Sequence, residues 1–212
     1  SLNGLEFKDR VAARLGRPLQ FLSTDVYISS AEVLDESLLY QQYIQSIYNC
    51  IIGQYCFDFS ESIELAAYQF FVKFGAYKAE IHKVGFLGDK ICEFVPLRHL
   101  KVEGMEQTEQ NVITYLRDVV QYEYLESREA GIAKYMSIIY RSPHYGRTFF
   151  KGHQDFLLDA IDKKVYLAVH NMGIELWTRA PDRQLICSYS LGEIMRWSFN
   201  NKKGVFTFVL PA

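Results

Sequence analysis

Between Ser60 and Leu87 the chain reads SESIELAAYQFFVKFGAYKAEIHKVGFL. Ile63, Ala66, Ala67, Phe70, Phe74 and Tyr77 recur at helical spacing, which gathers them into one wide apolar stripe. A stripe this wide must be packed from several sides, so the stretch predicts the central helix of a bundle. Asp58 and Glu61 have capping-box spacing at its start, and Gly75 and Gly85 mark its end region.

The flanking segments supply the partners. Tyr40, Ile44, Ile47, Tyr48 and Ile51 form a stripe in a helix expected over Asp35–Ile52, closed by Gly53. Asp89–Leu100 reads as a short helix or turn broken at Pro96. Thr108–Glu126 is expected to be helical, with Val112, Tyr115, Leu116 and Val119 on one face. Ser127 caps a further helix carrying Ile132, Tyr135, Met136 and Ile139. Near Tyr145 the side-chain rhythm changes from 3.6 to 2. Arg147–Lys151, the alternating run around Val165, Leu167 and Val169, Ile174–Thr178, Leu185–Ser190, Glu193–Phe199 and Val205–Leu210 read as a meander of about six antiparallel strands. Asn171-Met172-Gly173, Pro181-Asp182-Arg183 and Asn200–Gly204 are its turns. Ahead of the bundle, Phe7, Val11, Ala12 and Leu15 suggest a brief helix stopped by Gly16-Arg17-Pro18, then a strand at Leu19–Leu22.

Composition narrows the function. The formal net charge is −2, with apolar residues at 49% and aromatics at 15%, so a sizeable core is expected. The charge divides as +1 over residues 1–30, −6 over 31–145 and +3 over 146–212, counted along the sequence. No dense basic stripe exists, which speaks against nucleic acid as a partner. The cysteines Cys50, Cys56, Cys92 and Cys187 show no CxxC pair and read as reduced core thiols. His82, His99, His144, His153 and His170 have no metal-ligand spacing; His82, beside Lys83, reads as a cation at the end of the central helix. No phosphate-cradling glycine loop, nucleophile elbow or Cys–His arrangement appears, so neither catalysis nor a cofactor is expected. Glu61/Glu64 and Glu106/Glu109 read as solvated helix faces.

Ala66-Ala67-Tyr68-Gln69, Phe74-Gly75 and His82-Lys83-Val84-Gly85-Phe86-Leu87 together resemble the helical second lobe of a FERM domain, with the nearest likeness to talin and a further likeness to the Krev-interaction-trapped protein. Tyr145-Gly146-x-x-Phe149-Phe150 and Leu191-x-x-Ile194-x-Arg196-Trp197 resemble the third lobe of talin. The resemblance implies an α+β multi-lobe chain. Residues 1–31 would be a remnant of the ubiquitin-like first lobe and linker. Residues 32–145 would be a helical bundle of the acyl-CoA-binding-protein type. Residues 146–212 would be an incomplete antiparallel PH/PTB-like β-sandwich lacking its C-terminal helix. The family's seventh strand and plugging helix have no counterpart before Pro211-Ala212; truncation, an unrepresented remainder or a partner would account for them.

The function so implied is a non-enzymatic adaptor at the cytoplasmic face of the plasma membrane, linking a receptor tail and the membrane to the actin cytoskeleton. The strand Glu193–Phe199 would be a sheet edge that accepts a receptor tail peptide of the integrin-like, Asn-Pro-x-Tyr type, held by Arg196 and Trp197 with Ile194 and Phe199 beside them. The plain alternative for Arg196 and Trp197 is a cross-strand packing pair with Trp197 half buried. Lys151, Lys163, Lys164, Lys202 and Lys203 would face acidic phospholipid head groups, or else serve as ordinary solubilising charge. A Rap/Ras-type small GTPase would bind through the first lobe. Two other readings stand beside this one. The first is a FERM tail of an unconventional myosin or small-GTPase-linked scaffold binding cargo peptides. The second is an acyl-CoA-like carrier, which the acidic bundle surface disfavours because such ligands carry phosphates.

Overall fold

A computed structural model describes residues 36–153, 164–179, 183–202 and 204–209. The chain divides into two compact units at Tyr145/Gly146, and each is treated by itself. The expected helix and strand over residues 7–22, and the first-lobe remnant they belong to, lie outside the described residues.

The first unit is helical. Its α-helices are α1 (Glu36–Ile51), α2 (Phe59–Phe74), α3 (Leu97–Glu103), α4 (Met105–Asp118) and α5 (Arg128–Arg141), with turns of 3-10 helix at Gly88–Glu93 and Val120–Glu123. The centre is α2, which packs against α4 and α5. Ala66, Ala67 and Phe70 are fully buried, as the stripe requires. Small residues let neighbours approach: a Cβ at Gly131 of α5 would sit 2.8 Å from Phe71 Cδ1 and 2.9 Å from Val72 Cγ2. The capping box forms, with Glu61 N–H donating to Asp58 Oδ1 at 2.8 Å and Asp58 N–H to Glu61 Oε2 at 3.0 Å. The predicted Ser127 cap also forms, its Oγ accepting from Ala130 N–H.

Several expectations are corrected. The central helix does not run to Leu87. It stops at Phe74, where Gly75 turns the backbone to φ 82, a left-handed value that glycine adopts without steric cost. Residues 75–87 instead fold back as turns, and their aromatic side chains complete the cluster around Phe70. Its ring centroid is 4.9 Å from those of both Phe74 and His82 and 5.6 Å from that of Phe86. His82 is therefore not a cation on a helix end. It is buried, its Nδ1 accepts from Lys78 N–H at 3.1 Å, and burial, with Lys78 adding, holds its pKa below the ordinary imidazole range. The Thr108–Glu126 helix ends at Asp118, and Val119 is half exposed rather than in the stripe. Glu109 is not solvated: it is 2% exposed and clamps the 85–87 turn, Oε2 accepting from Gly85 N–H at 3.0 Å and Oε1 from Leu87 N–H at 2.6 Å. Of the four cysteines only Cys50 is a core thiol, and burial pushes its pKa up to about 12; Cys56, Cys92 and Cys187 are half-buried.

The second unit is β. Strands β1 (Thr148–His153), β2 (Lys164–His170), β3 (Gly173–Thr178) and β4 (Leu185–Ser190) form an antiparallel sheet in that order. β5 (Arg196–Asn200) and β6 (Val205–Val209) form a separate two-stranded antiparallel ribbon. The single meander is thus corrected: β4 and β5 are not paired. A 3-10 turn at Leu191–Glu193 redirects the chain between them, so Glu193 and Ile194 precede the strand rather than open it. The turn residues Pro181 and Asp182 lie outside the described residues.

Candidate functional site

The β5 strand is delivered by a built turn. Ser190 N–H and Ser190 Oγ–H both donate to Glu193 Oε2 at 2.7 Å, and these two bonds draw the Glu193 pKa below the usual carboxylate range. Leu191 N–H donates to the Met172 carbonyl at 2.9 Å, tying the turn to the β2–β3 connection. Met195 N–H then donates to the Val209 carbonyl at 3.0 Å and opens the ribbon.

Along the ribbon Arg196 faces Val209, Trp197 faces Phe208, Ser198 faces Thr207, Phe199 faces Phe206 and Asn200 faces Val205. Among the described residues β6 is the only strand paired with β5, which leaves the other side of β5 without a neighbouring strand. All five β5 residues are exposed, Trp197 at 64% and Phe199 at 54%. Ile194 is half-buried in the approach to the strand. Alternation puts Trp197 and Phe199 on one side of the ribbon and Arg196 and Ser198 on the other. Arg196 and Trp197 are therefore neighbours in sequence but not on one face.

The basic residues divide. Lys151, opposite Tyr166 in β1–β2, and Lys164, opposite His153, lie on the same side of the sheet by register. Lys202 sits in the β5–β6 turn, a different sheet. Lys163 and Lys203 lie outside the described residues. On that same sheet side two arginines stack on Tyr166: the guanidinium of Arg183 lies 4.3 Å from its ring centroid and 4.4 Å from that of Phe149, and that of Arg179 lies 5.6 Å from Tyr166.

A buried polar group at the other end of this face is not among the residues expected from the sequence. Glu175 is 4% exposed. Arg147 grips it with two bonds of 2.6 and 2.8 Å, Trp177 Nε1–H donates to it at 2.8 Å, and His170 Nε2 lies 3.3 Å away. Burial raises its pKa, and the bonds from Arg147 and Trp177 outweigh that and leave it lowered. The available signal was the two-fold alternation, which sets one acid on the same side as Trp177, where an unpaired carboxylate could not stay.

One small cavity lies in the described part of the helical unit. A cavity of about 10 Å³ is lined by Ile47, Cys50, Leu65, Phe94 and Tyr135, with the unpaired hydroxyl of Ser62 beside it. That is room for one water, against the ~300 Å³ at which small-molecule sites begin. No helix among the described residues is long and apolar enough to cross a membrane.

Similar architecture recurs in solved structures. Human myosin 7b, in its C-terminal MyTH4-FERM domain bound to the harmonin-a PDZ3 domain, aligns at TM-score 0.64 and 18% identity, covering 82% of this chain and 35% of that one. The FERM and C-terminal domain complex of Drosophila Merlin aligns at 0.61 and 21% identity, covering 84% and 56%. The MyTH4-FERM MF2 domain of Dictyostelium discoideum myosin VII aligns at 0.55 and 15%, covering 80% and 33%. This chain spans about a third of the myosin 7b chain and just over half of the Merlin one. At these identities the likeness shows fold alone. No curated protein matches. The FERM central domain, however, matches by sequence over residues 29–150, more than half of the chain and the whole of the helical unit from α1 to α5, and by that match this protein belongs to the FERM family.

Proposed function

We propose that this FERM chain is a non-enzymatic adaptor in which β5 takes up an extended peptide as an added strand. The observation that carries the reading is the state of β5: among the described residues it has one strand neighbour, and it exposes Trp197 and Phe199. Such an edge offers backbone donors and acceptors for strand addition, and an exposed aromatic beside it gives side-chain selectivity. We take the helical unit (residues 32–145) as a bundle of the acyl-CoA-binding-protein type, residues 146–212 as a PH/PTB-like lobe, and residues 1–31 as the end of a ubiquitin-like lobe. Following the talin likeness of Leu191-x-x-Ile194-x-Arg196-Trp197, the peptide is a receptor cytoplasmic tail with an Asn-Pro-x-Tyr-type turn. Arg196, Trp197, Ile194 and Phe199 contact it. Lys151, Lys164 and Lys202, with Lys163 and Lys203, face acidic phospholipids at the inner plasma membrane, and the module links to actin. A Rap/Ras-type GTPase, as in the Krev-interaction-trapped likeness, acts through a first lobe.

The test is a titration of labelled Asn-Pro-x-Tyr tail peptide against the full chain by fluorescence anisotropy. Trp197→Ala and Arg196→Ala should each weaken binding at least about tenfold, the loss of one anchored side chain in a small interface. Undiminished binding by both variants would end the assignment to β5.

A second reading is favoured by two of the three structures above being myosin MyTH4-FERM domains: an unconventional myosin tail whose same edge holds cargo peptides.

A further inference from the structure

Four phenols of the helical unit are buried, Tyr43 and Tyr68 at 3% exposed, Tyr55 at 5% and Tyr135 at 1%, while Tyr40 is 41% exposed. In the connection from α4 to α5 the exposure is higher still, with Tyr122 at 66% and Tyr124 at 82%. The turn is not loose. Val120 is buried, and Glu123 is pinned from two sides, accepting from Tyr68 Oη–H at 2.8 Å and lying 3.2 Å from Lys134 Nζ. Side chains therefore point inward at 120 and 123 and outward at 122 and 124. Tyr124 also carries a left-handed backbone, φ 49 and ψ 46, which a bulky aromatic adopts at a cost. Neither burial nor backbone preference accounts for an aromatic residue there. Along the sequence the pair is flanked by Asp118, Glu123, Glu126 and Glu129, with Arg117 bonded to Asp118 and Lys134 paired with Glu123. Two hydroxyls presented from a pinned turn have the form of a substrate segment for an enzyme with a peptide groove.

We propose that Tyr122 and Tyr124 are phosphoryl acceptors for a protein tyrosine kinase. In the step, a phenolic oxygen attacks the γ-phosphorus of a nucleoside triphosphate. The new O–P bond forms as the bond to the bridging oxygen breaks, the nucleoside diphosphate leaves with the electron pair, and the phenolic proton passes to the kinase's base. The product places a near-dianion on the residue before or after Glu123 in the turn. Like-charge repulsion and competition for Lys134 then loosen the bond that holds the turn to Tyr68 of α2. Both residues and the latch lie in the helical unit, and the proposal does not rest on the reading of β5 as a peptide site.

The experiment incubates the full chain, native and unheated, with ATP and a tyrosine kinase of broad specificity and maps phosphate by peptide mass spectrometry. Phosphate should fall first on Tyr122 and Tyr124, and the Tyr122→Phe/Tyr124→Phe double variant should incorporate about threefold less, because fully buried phenols are reached only through opening of the fold while Tyr40, at 41% exposed, can still take some label. The phosphorylated chain should melt a few degrees lower, and Glu123→Gln should shrink that shift. Labelling spread evenly over other tyrosines, undiminished labelling of the double variant, or labelling only after thermal unfolding would each overturn the proposal.

Discussion

The two units of this chain handle their exposed chemistry in opposite ways. In the helical unit three polar groups are closed from within, while the phenols of Tyr122 and Tyr124 stay open. Glu109 satisfies two backbone N–H groups of the 85–87 turn, His82 is walled in by Phe70, Tyr77 and Phe86, and Glu123 holds the last turn before α5. In the β unit, β5 has a single strand neighbour among the described residues, and Trp197, Phe199 and Met195 remain more than half exposed. Specific closure is what gives one well-packed state, and an open edge is what can take another chain. The difference teaches where to expect stability and where to expect binding.

Four measurements would sharpen or break that contrast. Phe70→Ala should cost about 4 kcal/mol in chemical denaturation, since it removes a fully buried ring with several aromatic neighbours. A cost below about 1 kcal/mol would mean the aromatic cluster is not the centre of the unit. Glu109→Ala should cost about 3 kcal/mol, because it strands two amides in a buried site. If it is silent, the clamp is not what holds residues 85–87. The third measurement is of pH. Burial keeps His82 and His99 less basic in the fold than in the unfolded chain, which therefore binds protons more readily. Stability is complete above ~6.5, the unfolded imidazole value, and falls as pH drops below it. Melting temperature should decline from pH 7 to pH 5.5, and His82→Gln should flatten part of the decline. The smallest stability effect belongs to β5. Trp197→Ala should change the folding free energy by less than about 0.5 kcal/mol while weakening the peptide, as a surface residue outside the core does. A large loss of stability there would make Trp197 a packing residue and erase the contrast.

Much of the helical unit was readable from residue spacing. The Asp58/Glu61 box, the Ser127 cap and the Ile132, Tyr135, Met136, Ile139 stripe are local, and local rules place them. Glu109 was misread because its spacing from Glu106 is that of any solvated helix face. Only the return of residues 85–87 onto α4 makes it a buried acceptor. Arg147 and Glu175 were missed for a similar reason: they are 28 residues apart, and only the β1–β2–β3 register brings them together. At the candidate site, alternation predicted a strand around Arg196 and Trp197. Their division onto opposite sides also follows from alternation, whereas the break between β4 and β5 does not.

The sequence by itself determined which stretches are helices and which are strands, and that the rhythm changes near Tyr145. Those properties depend on neighbours within a turn or two. The tertiary structure decided that residues 85–87 return onto α4, that Glu109 and Glu175 are buried acceptors, and that, among the described residues, β5 and β6 stand as a ribbon apart from the other four strands. Each of these is settled by what a residue meets from a distant part of the chain, and desolvation or a new hydrogen bond at that meeting outweighs local preference.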